Sequence, residues 1–289
     1  MSLQGDLEHL TARLCQLSRE RYAMPVATED WPASLDEGQW FFSPEMISLA
    51  GTDAFAQLSI RDQRRLSFFE LINFFSLNIH GEKSMIAGLA QRLYAQNADR
   101  LSAYLHHFID EENKHSQYFA EFCRRYNETI YPERKIAFHR DYAAGEEDFL
   151  FFAKIFIFEQ IVDHYNVAMG GDDRLHPLVS SIHRMHHRDE SRHLAFGRHL
   201  VVALFERWCE VWPPDTLTRV RAYLASYLIE TLREYHSFDA YRDAGLCEPM
   251  ALIVSSFESA ASKARRRAVA KKCVSWLQKF GILFEDPLS

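Results

Sequence analysis

The sequence predicts an all-α protein built on a four-helix bundle with additional helices at both ends. Three observations carry this. Gly and Pro are scarce, with 11 and 9 among 289 residues, so few positions punctuate the chain. Four long stretches keep a helical apolar pattern uninterrupted by proline. No run of alternating apolar and polar residues bounded by turn residues marks a strand. Apolar residues make up 47%, with 22 Phe and 12 Tyr, enough for a large core. No Ser/Gly-rich linker divides the chain, so residues 1–289 are expected to form one helical domain.

Taken in order, residues 1 to about 20 read as a short amphipathic helix, and "MPVATEDWPASLDEGQWFF" (24–42) resists regular structure. Ser59 is a fitting N-cap for a first long helix running through "RDQRRLSFFELINFFSLNIHGEKSMIAGLAQRLYAQ". After "NAD" (97–99), a second runs through "RLSAYLHHFIDEENKHSQYFAEFCRRY". The segment "NETIYPERKIAFHRDYAAGEED" is an irregular crossover, and a third helix covers roughly 148–169, stopping at Gly170 and Gly171. A fourth begins near Leu175–Pro177 and continues towards Pro213 and Pro214. At least two more lie within 216–240 and 249–280. Two antiparallel pairs joined by one long crossover describe a bundle of ferritin-like type. Its core spans about 59–210, an N-terminal extension 1–58, and C-terminal helices 211–289.

Charge and cysteine usage narrow the function. A net charge of −7 argues against nucleic acid as a partner. The basic run "SKARRRAVAKK" (262–272) reads as a solvated helix face, with contact to an acidic partner or carrier protein as the alternative. The five cysteines, Cys15, Cys123, Cys209, Cys247 and Cys273, form no CxxC pair and fit a reducing, cytoplasmic compartment. The N-terminus lacks the pattern of a signal peptide. The most apolar stretch, "FLFFAKIFIFEQIV" (149–162), is too short to span a bilayer.

An internal repeat points at a site. "EENKH" (111–115) and "DESRH" (189–193) share an acid-Glu-x-x-His pattern, offset by 78 residues. A Glu and a His three apart stand about 60° apart around a helix, so both reach one ion. Glu159 lies inside apolar "KIFIFEQIVDHY", where an unbound charge is costly. Glu82 matches it at an offset of 77. Glu70 in "FFELINFF" competes for this role, but lies about 18 Å along the axis from Glu82 and breaks the repeat. Glu82, Glu112, His115, Glu159, Glu190 and His193 thus match the two-metal carboxylate constellation of ferritin-like bundles. A single ExxH alone would read as solvated surface, and Glu159 alone as a core outlier paired to Lys154. Carboxylate and imidazole donors without thiolate suit two iron ions, or manganese. Glu111 and Asp189 stand ready to accept from the far ring nitrogen of a ligand histidine. Their alternative is exposed helix charge.

The halves differ at His186, whose direction falls between those of Glu190 and His193; its counterpart is Phe108. An added imidazole makes seven protein ligands, and the alternative is a supporting or surface histidine. His187 and Arg192 read as the polar face of the helix.

With these residues in place the chain resembles the p-aminobenzoate N-oxygenase family of non-haem diiron oxygenases, on Glu82, E112-N-K-H115, Glu159 and H186-H-R-D-E190-S-R-H193. The resemblance covers roughly 60–210. It implies O₂ as co-substrate at a diiron centre, an external electron donor, and oxygenation of an amine towards hydroxylamine, nitroso or nitro products. It also implies a homodimer, natural-product biosynthesis, and a free or carrier-tethered amine substrate. The nearest rival is a diiron C–H hydroxylase or desaturase. Iron storage fits less well, because the chain adds about 58 residues before the bundle and about 80 after it. A radical-generating subunit expects a Tyr one turn after the first His, where Phe119 stands and Tyr118 is off by one.

Overall fold

The computed structural model describes residues 3–22, 31–95, 99–133 and 141–289. Residues 24–30 of the irregular N-terminal stretch, 97–98 of the first break and 134–140 of the crossover lie outside the described residues. Ten α-helices follow one another: α1 (Leu3–Glu20), α2 (Asp53–Ala56), α3 (Ile60–Arg92), α4 (Asp99–Asn127), α5 (Glu146–Gly170), α6 (Pro177–Trp208), α7 (Pro214–Arg233), α8 (Phe238–Asp243), α9 (Pro249–Glu258) and α10 (Ala260–Lys279). No strand occurs among the described residues; Trp40 and Leu175 form an isolated bridge. The protein is all-α.

Local chemistry sets the ends of the bundle helices. Ser59 caps α3 by accepting from the Asp62 N–H. At the other end of α3, Leu93 leaves helical geometry and Tyr94 takes a positive φ of 58°. The helix therefore stops at Arg92 and does not run on through "YAQ". Gly145 supplies the left-handed residue before α5, with φ of 70°. A side chain there would also collide with Trp208, which lies 2.2 Å from where its Cβ would be. Pro177 occupies the first turn of α6, where a missing N–H is harmless.

The bundle is α3 to α6, with α3 packed mainly on α4 and α5 on α6. Short connections make each pair antiparallel. α5 is buried almost all round, from Phe149 to Met169, and forms the apolar centre. Its few polar positions, Glu159, Asp163 and Asn166, follow at spacings of four and three and so share one face. At Gly81 the missing side chain lets Phe158 of α5 approach, since a Cβ would sit 2.6 Å from its ring. That contact brings α3 and α5 together beside Glu82 and Glu159.

The region after α6 holds four helices, α7 to α10. The basic run on α10 is neither a free solvated face nor a surface open to an acidic partner along its arginines. Arg265 donates to the main-chain carbonyls of Ser48 and Ala50. Arg266 donates to the Phe257 carbonyl and Arg267 to the Leu288 carbonyl. These cations staple α10 to neighbouring segments. No helix among the described residues is long and apolar enough to cross a membrane.

Candidate dimetal site

All seven residues singled out as metal ligands are buried, and they meet between the bundle helices. α3 supplies Glu82, α4 Glu112 and His115, α5 Glu159, and α6 His186, Glu190 and His193. Potential donor atoms fall into overlapping triads: Glu82 with His115 and His186, Glu112 with Glu159 and His193, and Glu112 with His115 and Glu190. Within each, the atoms lie no more than 4.8 Å apart. Glu82 and Glu159 stand in opposite triads, while Glu112 belongs to two of them.

The donor atoms face one another without ordinary hydrogen-bond partners. Glu82 Oε1, both oxygens of Glu112 and of Glu159, Glu190 Oε2, and Nδ1 of His115 and His193 are all buried and unbonded. Orphaned buried acceptors in such number are rare in a folded chain. His193 Nδ1 lies 2.8 Å from Glu112 Oε1, and His115 Nδ1 lies 3.6 Å from that same oxygen. His186 turns Nε2 inward, 2.8 Å from Glu190 Oε1 and 3.9 Å from Glu82 Oε1. Four carboxylates and three imidazoles converging without solvent fit a pair of divalent cations, whose charge would balance the four carboxylates.

Protonation follows from this crowding. Burial, with Glu112 nearby, pushes the Glu82 carboxyl well above its usual range. Burial and Glu190 do the same to Glu159. Burial opposes charge on Glu112, but His193 outweighs it and holds that carboxyl low. Against its own burial, His115 is raised to about 10 by Glu112 and Asp189. His193 is also raised well above the usual range, with Glu112 and Glu190 overcoming burial.

Behind the ligands the two halves brace each other crosswise. His115 Nε2 faces Asp189 Oδ2 at 3.3 Å, and His193 Nε2 faces Glu111 Oε2 at 2.9 Å. Each acid therefore serves the histidine of the other helix. Arg192 donates to both Glu111 and Asp189, and Lys114 donates to Asp189. Arg192 is 4% exposed, so it is no part of a polar surface, contrary to the sequence reading. The fold turns this face of α6 towards α4, where two carboxylates need a counter-charge. The signal was present: a basic residue precedes the histidine in both "EENKH" and "DESRH". His187 is half-exposed and pairs with Asp163 at 2.5 Å.

Other weighed positions separate cleanly. Glu70 is buried, but it binds the Ser48 N–H and hydroxyl, away from the converging donors. Phe119 packs on His186 with ring centroids 5.0 Å apart. Tyr118 is fully buried with its hydroxyl unpartnered, 5.6 Å from His115 between ring centroids. Phe108 stacks on His193 at 3.9 Å. The repeat-equivalent contact, His186 against His115, measures 4.6 Å.

The family model for p-aminobenzoate N-oxygenase AurF matches residues 4–281. The chain belongs to this family. No curated protein matches it. Among solved structures it is similar to a Tyr-to-Phe variant of an R2-like ligand-binding oxidase with an aerobically reconstituted Mn/Fe cofactor. That likeness has a TM-score of 0.52 at 15% identity, covering 91% of this chain and 94% of the other. A Val-to-Ile variant of such an oxidase, also with an aerobically reconstituted Mn/Fe cofactor, gives 0.50 at 14% identity, covering 91% and 93%. These likenesses establish the ferritin-like fold, and the family match reaches well beyond residues 60–210, into α1 and α10.

Proposed function

We propose that this AurF-family protein holds two iron ions, or iron and manganese, through Glu82, Glu112, His115, Glu159, His186, Glu190 and His193, and uses O₂ to oxygenate an amine nitrogen. The observation that carries the reading is the convergence of buried, hydrogen-bond-orphaned carboxylate and imidazole atoms from four helices. Oxygen and nitrogen donors without a thiolate suit iron or manganese. The bound metal pair supplies the reduction of O₂, with electrons from an external donor.

The chain's own residues prepare that chemistry. Glu111 and Asp189 hold the far ring nitrogens of His193 and His115, which leaves each Nδ1 lone pair aimed inward. Phe108, Phe119 and Tyr118 wall the cluster and exclude water. His186 places two imidazoles, its own and that of His115, in the triad with Glu82, whereas the triad of Glu112 and Glu159 has one. The family match favours nitrogen over carbon as the atom oxygenated.

Anaerobic loading with Fe(II), exposure to ¹⁸O₂ and mass spectrometry across a panel of aromatic and aliphatic amines test the reading. The expected product carries ¹⁸O on nitrogen. Reduced, iron-loaded protein that consumes no O₂ would overturn it. A product labelled on carbon, or desaturated, would transfer the protein to the hydroxylase or desaturase class.

A further inference from the structure

The internal repeat fails at three buried positions that touch one another. Where the first half carries Leu89, Leu105 and Phe108, the second carries Asn166, His183 and His186. Asn166 joins the two rings: its Nδ2 lies 2.9 Å from His186 Nδ1, and its Oδ1 lies 2.8 Å from His183 Nδ1. The chain ends in an apolar pocket. The His183 ring lies 5.3 Å from Phe74 and 5.7 Å from Phe75 between centroids, and its Nε2 has no partner. Burying an amide and an imidazole where the sister half uses leucines is unfavourable unless they act on something they reach. The group they reach is His186.

Tautomers explain what they do. With the amide nitrogen towards His186, Nδ1 accepts and the ring proton sits on Nε2, donated to Glu190. Ligation through Nε2 needs the reverse, with Nδ1 protonated and Nε2 bare. A half-turn of the Asn166 amide exchanges its oxygen and nitrogen with little movement of heavy atoms. The oxygen then accepts from His186 Nδ1–H, and the amide N–H donates to His183 Nδ1. His183 keeps its single proton on Nε2, facing the Phe74 and Phe75 rings.

We propose that Asn166 and His183 are positioning residues that select the metal-ligating tautomer of His186. The inference rests on the reading of His186 as a ligand. The first half needs no such device, because Phe108 is not a donor.

The test uses full-length protein loaded with Zn(II), a diamagnetic probe, and ¹⁵N-histidine NMR. The expected wild-type spectrum shows His186 protonated at Nδ1 with Nε2 metal-bound. Asn166→Leu, and Asn166→Leu combined with His183→Leu, copy the residues of the first half and so suit a leucine-lined site. Each should lower Zn(II) affinity about 10-fold. Asn166→Asp retains an oxygen acceptor and should restore both affinity and the Nδ1–H signal. If His186→Ala lowers affinity while Asn166→Leu changes neither affinity nor the His186 shifts, positioning fails and ligation stands. If His186→Ala leaves affinity unchanged and Nε2 stays protonated, ligation by His186 fails, and this proposal with it.

Discussion

Lys114 and Arg192 occupy equivalent positions in the two halves of the bundle, and each reaches across to the acid in front of the other's ligand glutamate. Lys114 Nζ lies 2.5 Å from Asp189 Oδ2, and Arg192 Nη2 lies 2.5 Å from Glu111 Oε1. Two buried acids are thereby matched by two buried bases, and the four inward carboxylates remain for the metal ions. Removing one partner of a buried ion pair costs about 3–5 kcal/mol, because a buried charge is left unpaired. Arg192→Met should therefore destabilise the metal-free protein by roughly that amount in urea unfolding. Lys114→Met should cost less, since Asp189 keeps Arg192. Equal and negligible effects would show that these charges are not held as described.

The crosswise bracing also marks how far the sequence could be read. Glu82, Glu112, His115, Glu159, Glu190 and His193 were legible because a repeat makes each residue vouch for its counterpart. His186, Asn166 and His183 break that repeat, so periodicity says nothing of their mutual contact. Arg192 was misread because one helix viewed alone does not reveal which neighbour covers its charged face. The arginines of α10 failed for a related reason: their partners are main-chain carbonyls, which carry no residue-type signal. The long helices were legible from period and caps, whereas the division after α6 into α7, α8, α9 and α10 depends on short turns with weaker local signals.

Metal uptake should release protons. Glu82 and Glu159 are held protonated by burial and neighbouring carboxylates, and His115 and His193 are held protonated by the glutamates they face. All four must lose a proton to ligate. Calorimetric titration with Mn(II) at pH 7 in two buffers of different ionisation enthalpy would count them. The expectation is release approaching four protons per filled site pair, with affinity rising with pH. Binding without proton release would contradict this electrostatic description.

Glu70 should make stability fall as pH rises. Burial lifts its carboxyl to about 7, against weaker opposing bonds from Ser48. The folded state therefore binds this proton more tightly than the unfolded chain does. Its contribution is complete below the ordinary carboxylate range and is lost as pH rises towards 7. Across that interval the loss is about 1.4 kcal/mol per pH unit for one group. Glu70→Gln should remove the slope, so the variant gains on the wild type between pH 5 and 8 in urea unfolding. Parallel stability profiles would refute the assignment.

Arg265 meets the same Ser48 from the other side, holding its carbonyl while Glu70 holds its N–H and hydroxyl. A charged donor to a carbonyl contributes about 1.5–3 kcal/mol. Arg265→Ala should therefore lower stability by roughly 2–4 kcal/mol, since the Ala50 carbonyl is released as well. Because both residues act on Ser48, Arg265→Ala and Glu70→Gln should be non-additive by at least about 0.5 kcal/mol in a double-mutant cycle. A substitution on a merely solvated basic face would stay within about 0.5 kcal/mol of wild type and show no coupling. Loss of an amine-oxygenating activity in Arg265→Ala at a temperature where the variant is folded, with stability unchanged, would instead return the basic run to the role of a docking surface.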